Sequence, residues 1–310
     1  MWVYLGQVAL GVALLVAGGE ALVRGASAGA LRLGASTLFV GLVVLGFGTS
    51  LPELVVSLHA ALAGRPGIAV GNVVGSNLSN TLLVVGMVAV LQPMRVPWPE
   101  VQRDGLAMLL ASLLAVLAML NGWIGRLESV LLFLGLCVYL VTAWRSDRSR
   151  EGAGQDAVPV EGVAGWKGIA LLVPVGLGVL ILGAKLLVDG ATGLATAAGL
   201  SEALIGLTVV AVGTSLPELT VSVLAALKGS SEMSVGNILG SNIFNLMGIL
   251  GVAGVVSPLP VDPRILVYDQ WVMLGAALAL VLLIRLMGGV GRVAGVGLLL
   301  GYAGWVALGV

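Results

Sequence analysis

Long apolar runs alternate with short polar breaks from one end of the chain to the other. Read between the breaks, the runs predict helices over roughly 3–28, 36–62, 68–91, 104–121 and 126–144, then over roughly 166–197, 202–227, 233–256, 268–286 and 291–309. Each approaches the ~20 apolar residues that a helix needs to cross a bilayer. Between the two sets lies the one clearly hydrophilic stretch, "RSDRSREGAGQDAVPVEG" at 145–162, whose charge and glycine content predict a flexible linker. The expected fold is an all-α membrane protein of ten transmembrane helices, divided into 1–144, a linker at 145–165, and 166–310. The first run, "MWVYLGQVALGVALLVAGGEALVRG", lacks the basic start of a signal peptide and reads as a membrane helix that is kept.

Composition agrees with this pattern. The 310 residues are 59% hydrophobic and 10% charged, with a mean hydropathy of +1.11, against about 25% charged in soluble domains. No soluble domain is expected. Fifteen basic and fifteen acidic residues cancel, so nothing points to nucleic acid. Cys137 stands alone, which excludes an internal disulfide and a cysteine-cluster metal site.

Charge placement predicts an orientation. With the N-terminus outside, the inner loops and flanks hold Arg32, Arg95, Arg103, Arg145, Arg148, Arg150, Lys167, Lys228, Arg285 and Arg292. The outer ones hold Arg65, Arg126 and Arg264. Positive residues gather on the cytoplasmic side. Both termini are therefore expected outside, the linker inside, and the protein in a prokaryotic plasma membrane.

The two sets of helices repeat. "GTSLPELVVS" at 48–57 returns as "GTSLPELTVS" at 213–222, and a shift of 165 residues aligns 48–86 on 213–251 with 21 identities in 39 positions. The register extends back to "LVRGA" at 22–26 and "LVDGA" at 187–191. An odd number of spans per repeat turns the second copy upside down in the membrane. Inverted repeats of this kind mark secondary transporters, with the substrate site near the midplane where the repeats meet.

The repeated segment has unusual chemistry. Pro52 lacks an N–H, so the Gly48 carbonyl loses its helical partner and the turn is pushed open. Gly46 and Gly48 are expected to ease that unwinding, and Gly213 and Pro217 repeat it. Freed carbonyls at membrane depth need a polar cavity or a cation. The nearby side chains are hard oxygen donors: Thr49, Ser50, Glu53 and Ser57, repeated as Thr214, Ser215, Glu218 and Ser222. The following helices carry "GNVVGSNLSN" at 71–80 and "GNILGSNIFN" at 236–245, which put Ser76 with Asn80, and Ser241 with Asn245, on one helix face. Two carboxylates with hydroxyls, amide oxygens and carbonyls form the oxygen-only shell that calcium and sodium prefer. Each half supplies half a cage.

Other features carry plainer readings. The glycine pairs Gly71/Gly75 and Gly236/Gly240 read as helix-packing faces. Glu20 with Arg24, and Lys185 with Asp189, are spaced as structural ion pairs, whereas Glu53 and Glu218 have no basic residue within a turn or two. Unpaired ionisable residues inside a membrane are functional by default. His59 has Leu224 at the repeated position and reads as incidental, and "GFG" at 46–48 lacks the Lys-Ser/Thr of a phosphate loop. Intramembrane hydrolysis would call for a Gly-x-Gly-Asp-like acid or a Ser with a His partner, and would leave the repeated neutral oxygens without purpose.

The doubled motifs "GTSLPEL…GNVVGSNLSN" and "GTSLPEL…GNILGSNIFN" resemble the paired alpha-repeats of the cation/calcium exchanger superfamily, on its sodium/calcium exchanger side. The resemblance implies alternating-access antiport of Ca2+ against Na+, with no cofactor beyond the transported ions, the bilayer as the surrounding partner, and no enzyme activity. It implies that Glu53 and Glu218 bind calcium, that the backbone carbonyls of Thr49 and Thr214 complete its shell, and that those of Gly46 and Ala211 lie nearby. Ser50, Ser76, Ser215 and Ser241 would serve sodium, and Asn80 and Asn245 would face the centre. Several relatives carry Asp where this chain has Asn245, so its central site is less acidic, which argues against potassium co-transport. The Gly-Asn-Ala-containing segment typical of the proton-exchanging branch is absent. Ca2+/H+ antiport is the alternative coupling, and a passive cation channel a more distant one.

Overall fold

The structure is a computed structural model that describes residues 1–64, 66–148, 165–198, 213 and 215–308. The described residues form α1 (Trp2–Leu33), α2 (Thr37–Thr49), α3 (Leu51–Leu62), α4 (Pro66–Leu91), α5 (Trp98–Met119) and α6 (Arg126–Arg148). After the linker region come α7 (Gly165–Ala197), α8 (Leu216–Leu227), α9 (Ser231–Val256), α10 (Ile265–Met287) and α11 (Arg292–Ala307). Seven of these are long and apolar enough to span a membrane, and α2 with α3, bent by 42° at their junction, counts as an eighth if taken together. The apolar helices α8 and α11 are shorter. This is an integral membrane protein built of helices.

Two-residue strands tie the first part of the chain to the second. The pair β1 (Met94–Arg95) and β4 (Gly289–Val290) is antiparallel with Met94 opposite Val290, and β2 (Trp123–Ile124) meets β3 (Leu259–Pro260) with Ile124 opposite Leu259. A shift of 165 residues carries β1 onto β3, so the internal repeat of the sequence reappears in the pairing.

The apolar interior falls into two clusters. The larger gathers α4, α5, α9 and α10 around Val73, Met108, Leu239 and Leu280, and the smaller joins α1, α2, α7 and α8 around Leu22, Leu45, Leu180 and Val221. Within the second, α1 and α7 lie backbone against backbone. A Cβ on Gly18 would stand 2.5 Å from the Leu180 amide nitrogen, and one on Gly183 would stand 2.6 Å from that of Leu15. Small residues permit such approach where lipid supplies no hydrophobic drive between helices.

Several boundaries differ from the sequence reading. The helix expected from 104 begins at Trp98, because Pro97 and Pro99 sit at its start, where a missing N–H costs nothing, and because its charges are paired internally. Asp104, fully buried, accepts from Arg103 Nε at 2.6 Å, from Arg103 Nη2 at 2.9 Å and from the Tyr139 hydroxyl at 3.0 Å. The first helix runs to Leu33 and stops at Gly34, whose φ of 63° gives the left-handed cap. The start of the expected linker, 145–148, is helical, continuing α6. Residues 149–164 and the first part of the helix expected over 202–227 lie outside the described residues.

Candidate functional site

Helix α2 carries a π-helical turn at Gly41–Leu45, stays helical through Thr49, and breaks at Ser50, with φ −85° and ψ 4°. Helix α3 restarts with Pro52 in its first turn, and α8 starts in the same way with Pro217. The break falls in the turn before Pro52, as the sequence suggested, while Gly46 and Gly48 themselves stay helical. Gly46 serves close approach: a Cβ there would lie 2.8 Å from the Ser241 amide nitrogen and 2.9 Å from the Gly240 carbonyl carbon. The carbonyl of Gly46 accepts from Ser241 Oγ at 3.1 Å.

The break aims both glutamates inward. Glu53 and Glu218 are 1% and 0% exposed, and neither forms an ion pair among the described residues. They interact electrostatically with each other. Ser50, at the break itself, donates from Oγ to Glu218 Oε1 at 3.2 Å. Thr49 Oγ1 donates to Asn237 Oδ1 at 3.3 Å and lies 3.3 Å from Ser241 Oγ. These contacts draw residues far apart in the sequence into one buried cluster. Ser76, Ser215, Asn80 and Asn245 are buried as well. Asn80 and Asn245 sit in π-helical turns at Ser79–Val84 and Phe244–Ile249, a distortion that recurs at functional sites. Thr214 and Ala211 lie outside the described residues.

Several of these buried atoms have no hydrogen-bond partner among the described residues: both carboxylate oxygens of Glu53, Oε2 of Glu218, Oγ of Ser215, and the oxygen and nitrogen of both Asn80 and Asn245. A buried polar atom left unpaired costs about 1–3 kcal/mol, and a charged one more. Such a group of atoms in a folded protein points to a ligand that satisfies them. Among the described residues no three His, Cys, Asp or Glu side chains gather, so the negative charge available is that of two carboxylates, and the remaining donors are neutral oxygens. Hard cations fit that set.

Two residues in the cluster were not singled out from the sequence. Asn72 Nδ2 donates to Ser57 Oγ at 2.9 Å and to the Glu53 carbonyl at 3.2 Å, and Asn237 Nδ2 donates to Ser222 Oγ at 2.8 Å and to the Glu218 carbonyl at 3.3 Å. Each asparagine fixes the turn that carries a glutamate. Their signal was the repeated Gly-Asn pair at 71–72 and 236–237. Farther out, the expected Glu20–Arg24 pair forms at 2.5 Å, and Lys228 joins Glu20 at 2.6 Å to tie α1 to the end of α8. Lys185 and Asp189, both exposed on the surface of α7, form no ion pair among the described residues. Gly236 and Gly240 do pack closely: Cβ atoms there would lie 2.5 and 2.2 Å from the carbonyl oxygens of Leu38 and Leu42.

Comparison with known proteins follows the same lines. The family profile described as "Sodium/calcium exchanger protein" matches residues 3–145 and 168–309. The chain is 37% identical over 310 residues to the "Putative antiporter CaxA" of Alkalimonas amylolytica, covering 96% of each chain. It is 31% identical over 337 residues to the "Sodium/calcium exchanger MaX1" of Methanosarcina acetivorans, again covering 96% of each. Among solved structures, the sodium-calcium exchanger NCX_Mj soaked with zero Na+ and Ca2+ superposes with a TM-score of 0.85 at 31% identity, covering 99% of this chain and 98% of that one.

Proposed function

The chain belongs to the sodium/calcium exchanger protein family, and from that premise we propose that it is a secondary antiporter that moves Ca2+ across the membrane in exchange for Na+ by alternating access. It is a transporter and not an enzyme. The observation that carries the reading is the pair of buried glutamates, Glu53 and Glu218, three of whose four carboxylate oxygens have no hydrogen-bond partner among the described residues.

In this reading Glu53 and Glu218 bind Ca2+, helped by the carbonyls of Thr49 and Thr214, with those of Gly46 and Ala211 close by. Ser50, Ser76, Ser215 and Ser241 serve Na+, and Asn80 and Asn245 face the centre. Two mutually repelling carboxylates removed from water need positive charge beside them, because an uncompensated buried charge is strongly destabilising. One divalent ion or several monovalent ions supply it. Ca2+ and Na+ therefore compete for the same donors, and the site changes sides readily only when one of them fills it. Obligatory exchange follows from that cost. The neutral hydroxyls and amides can bind Na+ but carry no titratable proton, which favours Na+ over H+ as the driving ion.

The architecture proposed is ten transmembrane helices in two inverted five-helix repeats, 1–144 and 166–310, joined by a cytoplasmic linker at 145–165, with both termini outside. The 165-residue repeat, the reciprocal strand pairs and the Lys/Arg distribution support it. Counter-ion exchange tests the transport class: proteoliposomes preloaded with Ca2+ should take up labelled Ca2+ faster than empty ones. Uptake that ignores the internal ion would indicate a channel and refute the antiport reading.

A further inference from the structure

Helix α2 ends at the ion-site residues Thr49 and Ser50, and its other end is held by an unexpected partner. Ser36 caps it, accepting from the Phe39 amide at 3.1 Å through its hydroxyl. The Ser36 amide in turn donates to Asp147 Oδ2 at 3.1 Å, and the Ser36 hydroxyl donates to Asp147 Oδ1. Asp147 is 3% exposed and lies in the last turn of α6, where the chain enters the linker region. Beside it the Phe39 and Trp144 rings meet at 5.4 Å, and Arg103 Nη1 donates to the Ala143 carbonyl at 3.1 Å while its charge acts on Asp147. A carboxylate at a helix start also complements the helix dipole.

We propose that Asp147 is a positioning residue for the ion site: through Ser36 it clamps the far end of α2 and so sets how easily the site opens toward the linker side of the membrane. The mechanical path is short. Residues 37–49 form one rod of about 20 Å, whose middle is pressed against α9 at Gly236 and Gly240. Moving one end of the rod about that contact moves Gly46, Thr49 and Ser50 at the other. The π-helical turn at Gly41–Leu45 lies between clamp and site and leaves the helix unbroken from Thr37 to Thr49. The clamp contacts none of the site oxygens, so its loss changes site geometry and exposure without changing site chemistry.

The transport part of the test rests on the proposed antiport reading; a second measurement does not. Asp147→Asn and Ser36→Ala are compared with wild type and with Ser36→Thr, which keeps the hydroxyl and the amide. Half-saturating Ca2+ is measured in vesicles of each orientation. Both disrupting variants should change it roughly fivefold on the linker side, the size expected from a lost cap, and leave the opposite side unchanged. Ser36→Thr should behave as wild type, and the double variant should be no worse than either single one. In detergent, amide hydrogen exchange over residues 37–45 should rise about fivefold in both disrupting variants. If wild type carries no Ca2+, the antiport reading fails and the exchange measurement still decides the clamp. Unchanged exchange in both variants, or equal shifts on the two sides, would overturn the proposal.

Discussion

Gly240→Ala adds one methyl group next to the candidate site without removing any polar atom from it. The new Cβ would lie 2.2 Å from the Leu42 carbonyl oxygen and 2.8 Å from the Leu42 carbonyl carbon and Cα, all backbone atoms that cannot swing aside. A comfortable carbon–oxygen contact is about 3.3 Å, so α9 and α2 must part by roughly 1 Å. Two site bonds cross that seam, Ser241 Oγ to Gly46 O at 3.1 Å and Thr49 Oγ1 to Asn237 Oδ1 at 3.3 Å. A 1 Å separation breaks both. At ~0.6–1 kcal/mol each for interhelical bonds in a membrane protein, plus ~1–3 kcal/mol of overpacking strain, the loss is about 2–5 kcal/mol. The assay is denaturation of the purified protein in detergent, alongside Ca2+ uptake at matched amounts of folded protein. Uptake should fall at least ~30-fold, the equivalent of ~2 kcal/mol. Gly297→Ala is the control, since Gly297 is exposed on α11 with nothing within 4 Å of the added carbon, and both readouts should match wild type. Near-normal stability and uptake in Gly240→Ala would show that the α2–α9 contact does not hold the site together.

Glu53→Gln and Glu218→Gln should each abolish Ca2+ uptake while the protein remains folded and inserted, because one carboxylate cannot balance a desolvated divalent ion; uptake near the wild-type rate by either would remove it from the site. Ser50→Ala and Ser215→Ala should weaken the dependence of transport on Na+ more than its dependence on Ca2+, read from rates across a series of Na+ concentrations, and an unchanged Na+ response would argue against hydroxyl ligation. Glu20→Gln removes the carboxylate that Arg24 and Lys228 share and should act on stability, read as a lower denaturation midpoint in detergent, with uptake retained at matched amounts of folded protein; a selective loss of flux at normal stability would contradict that. In a Cys137→Ala background, Ser149→Cys should escape an impermeant thiol reagent in intact cells while Leu308→Cys, exposed just past the end of α11, is labelled, and labelling at 149 would invert the proposed orientation.

Helix positions were readable because membrane helices announce themselves by length and apolarity, and the candidate donors because the motif occurs twice. Local periodicity could not reveal which residues meet across the two halves. Asn237 reaches Thr49, Lys228 reaches Glu20, and Asp147 reaches Ser36 over separations of more than a hundred residues, and nothing in the spacing of either partner encodes the other. The second use of Gly46 was hidden for a related reason: a glycine before a proline eases a break, but that it also admits the backbone of α9 only the packed structure displays.

Calcium flux under imposed ion gradients tests the central claim most directly. Purified protein is reconstituted in liposomes, and labelled Ca2+ uptake is followed with an outward Na+ gradient at equal pH on both sides, then with a pH gradient in Na+-free buffer. The account predicts uptake that needs the Na+ gradient, collapses when Na+ is equalised, and vanishes in Glu53→Gln and Glu218→Gln. Uptake driven fully by the pH gradient and indifferent to Na+ would show that the coupling ion is the proton, and an absence of Ca2+ movement under either gradient would contradict the assignment itself.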